Sequence, residues 1–514
     1  MKYPHPGVEV ELKLLVPAEA VRRLSAHPLL QGRARAVRRR LHSVYFDTPE
    51  FDLWRQGIAL RVRREGRRWL QTVKGGGMAQ GGLHRRAEAE AEVTGPAPDL
   101  SRIRDRKLAG AFASPQLRAR LRPVFATAFT RDSRVLELDA GARVEASVDQ
   151  GVIRSGNRAE AVSELELELK GGTPRHLYEL ALKLAEDVPL WIGDRSKAER
   201  GYALARGEPE APVKARPAVL DRSMSVSAGF KAVMWANLSH LQANERGMLE
   251  GRDPEYLHQM RVALRRLRSA IGVFAPLIPE AEITPMRNEL KWLAASLGPA
   301  RDWDVFVTET LPPIDKEFGA HGGLRDFTKR CESLRRAANV RARRAVRLPR
   351  YRHVVLSAAA WLAADDWVAR LDESARGALQ SPVGDFAAAV LERRYDRVRK
   401  KGRKLDKLSS LELHRLRIAI KKFRYAADFF AGLFEAGAVR KTLKRLSRLQ
   451  NILGAMNDAA TVANLMAHGF GGAAGRRVLE AKGILLGWSR GRAATLKREL
   501  MSAWKEFRPA EKFW

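Results

Sequence analysis

A chain of 514 residues with one cysteine, Cys331, can form no intrachain disulfide and no cysteine-rich metal site. That poverty fits a reducing compartment. No run of about 18 apolar residues occurs, which excludes a conventional membrane-spanning helix. The first residues lack the apolar core of a secretion signal, so a cytoplasmic protein with no membrane partner is the expectation. Aromatic residues make up 7% of the chain, few for a surface that stacks nucleic-acid bases. Acid is scarce relative to base: 59 Asp and Glu stand against 93 Lys and Arg, for a net charge of +34.

The excess is uneven. Residues 1–200 hold 36 basic and 26 acidic side chains, whereas 201–514 hold 57 and 33. A polyanionic partner is the first expectation for the later part. The length suggests two to four domains with substantial cores.

The first 205 residues read as strands. Val8-Glu9-Val10-Glu11-Leu12-Lys13 alternates, so an extended chain puts Glu9, Glu11 and Lys13 on one face. Two carboxylates and an ammonium there could chelate a hard cation and touch an anionic substrate. For a single such stretch, a solvated strand face is the plain alternative. Later strands answer it, however. Ser43–Phe46 closes on Asp47-Thr48-Pro49; Ile58–Arg63 places Arg61 with Arg63; Trp69–Lys74 ends at Gly75-Gly-Gly. Residues 84–92 align Arg86 with three glutamates, and Glu164, Glu166 and Glu168 share a face opposite three leucines. Leu121–Arg131, Arg134–Asp139 and Arg143–Asp149 continue the period, with Arg122 and Arg131 of opposite parity. A short helix from Pro17 to Leu24 and another at Thr173–Glu186 flank the strands. If the sheet closes with its charges inward, bases and carboxylates line one tunnel. It could hold a triphosphate, bases on its oxygens and carboxylates on bridging metals.

Six stretches together resemble the CYTH family of triphosphate tunnel metalloenzymes. They are Glu9-x-Glu11-x-Lys13, Tyr45-Phe-Asp-Thr48, Arg61-x-Arg63, Thr72-x-Lys74-Gly75, Glu164-x-Glu166-x-Glu168 and Ser196-Lys197-Ala-Glu-Arg-Gly201. The resemblance spans about residues 5–205. It implies an eight-stranded antiparallel tunnel that hydrolyses a triphosphate with Mg²⁺ or Mn²⁺. It also implies metal ligands Glu9 and Glu11 with two or more of Glu164, Glu166 and Glu168. Phosphate would be held by Lys13, Arg61, Arg63, Lys74, Arg86 and Lys197, and Glu88 or Glu90 would belong to the same site. Glu9, Glu11 and Lys13 would form the catalytic core. No His, Ser or Cys pairing suggests a covalent nucleophile, which favours direct attack by water.

Residues 207–221 form a linker; its stretch Gly207–Pro217 has three prolines in eleven residues. From 222 to 514 the pattern is helical, and it repeats. His258-x-x-Arg261-Val-Ala-Leu-Arg265-Arg266-Leu-Arg268 returns 156 residues later as His414-x-x-Arg417-Ile-Ala-Ile-Lys421-Lys422-Phe-Arg424. Leu297-Gly298-x-x-Arg301-Asp302 returns at the same offset as Leu453-Gly454-x-x-Asn457-Asp458. On a helix, His258, Arg261, Arg265 and Arg268 fall within about 80° of arc, with apolar residues opposite. A solvated basic face explains one such stripe; a second copy points to an anion-binding surface. These segments resemble the CHAD family, the conserved-histidine α-helical domain. That resemblance implies two pseudo-symmetric bundles around a basic channel for inorganic polyphosphate, with His258 and His414 donating to phosphate. Basic clusters at Arg341–Arg352 and Arg393–Lys404 would extend the surface.

The expected architecture is therefore α+β in two domains: a tunnel domain at 1–206 and an all-α domain at 222–514. The leading function is a metal-dependent inorganic triphosphatase whose helical domain binds polyphosphate. Thiamine triphosphatase, class IV adenylate cyclase and a non-catalytic polyphosphate- or nucleic-acid-binding adaptor are the alternatives.

Overall fold

The computed structural model describes residues 8–31, 36–251, 253–318, 322–364, 366–469, 476–508 and 512–514. Two compact units emerge: Met1–Ala211 with Pro349–Asp365, and Pro212–Leu348 with Asp366–Trp514.

In the first unit the alternating segments become β1 (Val8–Leu15), β2 (Val37–Asp47), β3 (Ile58–Glu65), β4 (Arg68–Gln80), β5 (Leu83–Val93), β6 (Arg122–Glu137), β7 (Arg143–Ser155) and β8 (Arg158–Gly171). All pairings are antiparallel, in the order β5-β4-β3-β2-β6-β7-β8-β1. Val8–Leu12 of β1 then pairs Leu83–Ala87 of β5 and closes the ring. The outer half of β1, Leu14 and Leu15, instead pairs the two-residue β9 (Trp191–Ile192). Eight closed strands enclose an interior just wide enough for side chains or one small ligand.

Polarity is inverted relative to an ordinary barrel. Leu12, Leu14, Leu165, Leu167 and Val144 point outward into a buried apolar layer, where the helix Pro174–Asp187 packs on β1 and β8. The charged alternates point inward. Two readings from the sequence change here. The run 121–139 is one strand, because pairing with β2 and β7 carries it straight through Asp132 and Ser133. Gly75-Gly-Gly does not end β4, which continues to Gln80 through a register shift between Gly75 and Met78.

The helix Lys197–Arg206 lies against β6, β7 and β8. Ser196 caps it by accepting from the Glu199 amide, while Glu199 accepts from the Ser196 amide at 2.7 Å. Gly201 is there for proximity: a Cβ would lie 2.1 Å from the Phe125 ring. That ring is itself stacked on Tyr45 at 4.3 Å. Gly201→Ala is therefore expected to lower stability by about 1–3 kcal/mol despite alanine's better helix propensity. Denaturant unfolding checks this, and a variant as stable as the parent would show that the contact yields freely.

The second unit is a duplicated set of four long helices. Val226–Ala243, Glu255–Phe274, Glu280–Val305 and Gly322–Arg347 are followed by Val383–Lys401, Ser410–Phe429, Ala436–Gly469 and Arg476–Phe507. Adding 156 to the first four starts gives 382, 411, 436 and 478, each within two residues of the observed start. Within each half, neighbours in sequence pack on one another, and the two helices carrying the histidine motifs pack across the halves. Val213 anchors the linker, its amide donating to Asn244 and its carbonyl accepting from the Asn244 side chain.

The helix Pro349–Ala363 has no partner in the repeat and belongs to the first unit. It buries Tyr351, Val354, Val355 and Leu362 and packs on the helix 174–187. Arg352, read from sequence as part of a basic channel surface, stands instead over the Trp191 ring at 4.8 Å.

Candidate active site and anion-binding cluster

Inside the ring lies a cavity of about 170 Å³. Its wall holds six cations (Lys13, Arg61, Arg63, Lys74, Arg131 and Lys197) and five carboxylates (Glu9, Glu11, Glu88, Glu90 and Glu166). Cross-strand register explains how. Lys13 faces Glu166 and Glu11 faces Glu168 across β1 and β8. Lys74 faces Glu88 and Thr72 faces Glu90 across β4 and β5. Arg131 faces Asp149, which in turn faces Glu164.

The charges interlock. Lys13 contacts Glu11 at 2.7 Å and also Glu166. Lys197 reaches Asp149 at 2.6 Å, Glu166 at 3.0 Å and Glu164. Arg131 grips Asp149 through two nitrogens, at 2.7 and 2.6 Å, and touches Glu166. Lys74 bridges Glu9 at 2.7 Å and Glu88 at 2.9 Å. Burial alone would lift the Glu166 carboxyl, but Lys13, Lys197 and Arg131 outweigh it and hold it well below the carboxylate range. Burial likewise opposes the charge on Lys13, yet Glu11, Glu166 and Glu164 keep its ammonium raised. Arg63 is different: burial, then Arg61 and Arg131, push its guanidinium down to about 10. Among the described residues its only ion pair is with Glu65 at 3.5 Å, so this end of the cavity is the more cationic one.

Of the residues picked out by sequence, Glu9, Glu11, Lys13, Arg61, Arg63, Lys74, Glu166 and Lys197 share this wall. Glu164 lies behind Lys197, fully buried and also paired with Arg200. Glu168 pairs Lys170 at 2.7 Å and is absent from the cavity wall. Arg86 faces Glu9 in backbone register, and its side chain lies outside the described residues. The parity question at β6 resolves in favour of Arg131; Arg122 is exposed at the strand's start. Both Glu88 and Glu90 enter the wall, where only one was expected. Asp149 was missed. Its sequence signal, parity within Arg143–Asp149, becomes meaningful only once β7 is registered against Arg131 and Glu164.

Two groups of oxygen donors could suit a hard cation. Asp149, Glu164 and Glu166 bring carboxylate oxygens within 4.8 Å of one another, but Lys13, Lys197, Arg131 and Arg200 already neutralise them. Glu9, Glu11 and Glu168 are each paired with one lysine at 2.7 Å, Lys74, Lys13 and Lys170 in turn. Burial, with Glu9 and Glu145 nearby, lifts the Glu168 carboxyl above its usual range even beside Lys170. A carboxylate held up by neighbouring carboxylates in a partly buried site is one that a divalent cation would relieve.

In the helical unit the two stripes converge. Arg265 donates to the Tyr425 hydroxyl at 3.2 Å across the halves. Arg266 pairs Asp428, also across the halves. Lys421 sits among Arg265, Arg417, Arg261 and Arg268; burial first, then these guanidiniums, pushes its ammonium down to about 8. Arg261 donates to the Ala294 carbonyl at 3.1 Å, and Asp302 lies 4.0 Å away. Among the described residues, the buried nitrogens of His258 (Nδ1), Arg261 (Nε) and Arg417 (Nε) have no hydrogen-bond partner. Burial, then Arg301, lowers the His258 imidazole below its ordinary value. His414 is exposed, and Arg424 is engaged by Gln450 at 2.7 Å. The side chains of Asn457 and Asp458 lie outside the described residues.

A closed antiparallel barrel with an ionic interior, in one chain with a duplicated helical unit, defines the class. Residues 7–202 match the CYTH domain and residues 232–467 the CHAD domain, and the chain belongs to these families. It is 32% identical over 165 residues to an inorganic triphosphatase of Haemophilus influenzae, a match covering 32% of this chain and 46% of that protein. The chain thus spans about half the length of the curated relative it matches. The crystal structure of the CHAD domain from the plant Ricinus communis aligns with 30% identity and a TM-score of 0.51, over 60% of this chain and all of that one. PptA from Streptomyces chartreusis aligns with 16% identity and a TM-score of 0.44, over 55% of this chain and all of that one. Among the described residues no helix is long and apolar enough to cross a membrane.

Proposed function

We propose that the first unit hydrolyses inorganic triphosphate with the help of Mg²⁺ or Mn²⁺, and that the second binds inorganic polyphosphate. The cavity wall carries the first half of this reading. Six cations meet a polyanion while five carboxylates stand among them, a balance suited to a phosphate chain that arrives with metal. Size favours the inorganic substrate. Pockets for drug-sized ligands run to about 300–1,000 Å³, and one of about 170 Å³ suits a short phosphate chain. The triphosphatase name of the Haemophilus relative agrees.

Glu9, Glu11 and Glu168 would hold the cation, with Glu164 and Glu166 alongside. When bound, it would supply charge neutralisation and polarise phosphoryl oxygens. The chain's own residues do the rest. Arg61, Arg63 and Lys74 bind and orient the phosphates, Lys13 and Lys197 hold the carboxylates in place, and the barrel wall restricts access of bulk water.

Phosphate release from tripolyphosphate, ATP, thiamine triphosphate and long-chain polyphosphate tests the assignment. Tripolyphosphate should be turned over fastest, with loss on chelation and recovery on adding Mg²⁺ or Mn²⁺. Faster turnover of ATP or thiamine triphosphate would replace the inorganic substrate with that ester. Lys74→Ala should raise KM and lower kcat, together about tenfold to a hundredfold in kcat/KM, because its bonds are to charged groups. Unchanged kinetics would take Lys74 out of the phosphate site.

The second half rests on the cluster around Lys421, where cations from both repeats gather with little acid between them. Concentrating like charge in a half-buried place is unfavourable unless a polyanion relieves it. Nucleic acid is the competing polyanion.

A further inference from the structure

β1 changes partner at Lys13. Val8–Leu12 pair with β5 and Leu14–Leu15 with β9, so on that side Lys13 has no ladder residue of its own. Two glycines hold its backbone there instead. The Lys13 amide donates to the Gly82 carbonyl at 2.9 Å, and the Lys13 carbonyl accepts from the Gly193 amide at 2.9 Å. Gly82 closes the β4–β5 hairpin: Gly81 and Gly82 have φ of 58° and 77°, the two left-handed residues that such a turn needs. A Cβ on Gly82 would lie 2.5 Å from Ile192 and 3.0 Å from the Lys13 carbonyl oxygen.

One side chain ties the two glycine segments together. Asp194 Oδ1 accepts from the Gly82 amide at 2.7 Å. This carboxylate is absent from the cavity wall. Its Oδ2 is shielded from solvent and, among the described residues, has no hydrogen-bond partner. An unpaired carboxylate oxygen away from water is unfavourable and calls for a reason. Burial accordingly lifts the Asp194 carboxyl to about 6, although the Gly82 bond opposes it. The place of the bond supplies the reason. Two residues beyond Asp194, Ser196 caps the helix that begins at Lys197. Lys13 and Lys197, one on each side of the junction, both reach Glu166.

We propose that Asp194 is a positioning residue of the tunnel. Its bond to Gly82 locks together the β4–β5 turn, β1 at Lys13 and the segment leading to Lys197, so that both ammoniums meet Glu166 in one arrangement. The proposal rests on the triphosphate reading. What acts in it is the acceptor, held in place by a short side chain, and not the charge. Arg61, Arg63 and Lys74 sit in the β3–β4 ladder, which ends at Gly75, before this junction. Phosphate binding by those three is therefore spared when the lock is broken, whereas the placing of Lys13 and Lys197 is not.

The test uses two variants of the full chain: Asp194→Ala removes the acceptor, and Asp194→Asn keeps one in the same place without the charge. Rates with tripolyphosphate and Mg²⁺ are taken where unfolding curves show each variant native. Asp194→Ala should lose about tenfold to a hundredfold in kcat with KM changed by much less, the scale of a misplaced catalytic group. Asp194→Asn should stay within about threefold of the parent. In a Lys13→Gln background Asp194→Ala should cost clearly less than it does alone, because groups that act as a unit are not additive. A folded Asp194→Ala with the parent's kcat overturns the role of Asp194 and leaves the triphosphatase reading standing. So does an equal loss in Asp194→Asn, which would assign the effect to the charge, and so does full additivity with Lys13→Gln. Should Asp194→Ala not fold, Asp194→Glu takes its place. It keeps the charge, shifts the acceptor by one methylene and should lose kcat in the same way; parent-like turnover would overturn the proposal. A parent that releases no phosphate from any triphosphate overturns both the reading and the proposal.

Discussion

Glu11→Gln should reduce metal-dependent phosphate release from tripolyphosphate by at least about a hundredfold, the scale of losing one aligned electrostatic contact to the transition state. Glu11 lines the cavity, stands opposite Glu168 and contacts Lys13 at 2.7 Å. The substitution keeps the volume and removes the charge. Two consequences follow from that single change: the cation loses a hard donor, and Lys13 loses one of the carboxylates that keep its ammonium raised. Lys13 retains Glu166, so the barrel should still fold, with no buried charge left wholly unpaired. The measurements are phosphate release across a Mg²⁺ titration and a thermal unfolding curve. A folded variant with full turnover would remove Glu11 from the metal site. A variant that fails to fold would instead assign Glu11 to the barrel's internal ion pairing.

The second large effect concerns polymer binding, best read in the full chain carrying Glu11→Gln so that the polymer is not consumed. Replacing Arg261 and Arg265 together by Ala should weaken affinity for long-chain polyphosphate about tenfold or more. It should also flatten the salt dependence by about 1.4 in log–log slope, at about 0.7 per phosphate released, by analogy with single-stranded nucleic acid. Arg417 and Lys421 replaced together should do the same, because the two stripes share one cluster. Exposed Arg341 and Arg344, replaced as a pair, should matter much less. The pH dependence has a definite sign. Lys421 titrates near 8, so raising the pH through 8 removes a positive charge and weakens binding. Bound polyanion stabilises the ammonium, so binding takes up protons in that window. Lys421→Arg should flatten the profile. If both stripe pairs bind like the parent, or duplex DNA competes equally at equal phosphate concentration, a specific polyphosphate channel is ruled out.

Much of the site was legible because charge and strand parity are coupled. Glu9, Glu11 and Lys13 alternate with apolar residues, so one face had to be ionic whatever the register, and the same holds for Arg61 with Arg63. Parity alone could not choose Arg131 over Arg122, because both belong to the same long strand and a bulge could rescue either. Nor could it reveal Asp149, whose role depends on lying between Arg131 and Glu164 on neighbouring strands. The glycines at 75–77 looked like a terminus because glycine weakens an isolated strand. Here pairing with β5 on one side and β3 up to Gly75 on the other carries the strand onward.

By itself, the sequence determined the strands with one ionic face, the duplicated helices and the two basic stripes. Each follows from local periodicity or from a repeat at a fixed offset of 156 residues. Only the tertiary structure decided which charges meet. Ring closure through β1 and β5 brings Lys74 to Glu9, and packing of the two histidine helices places Lys421 among the arginines of the other half. It also decided that the helix 349–363 joins the barrel's unit. An apolar face says that a helix must be covered but not by what; that choice belongs to the surfaces folding offers it, here the helix 174–187.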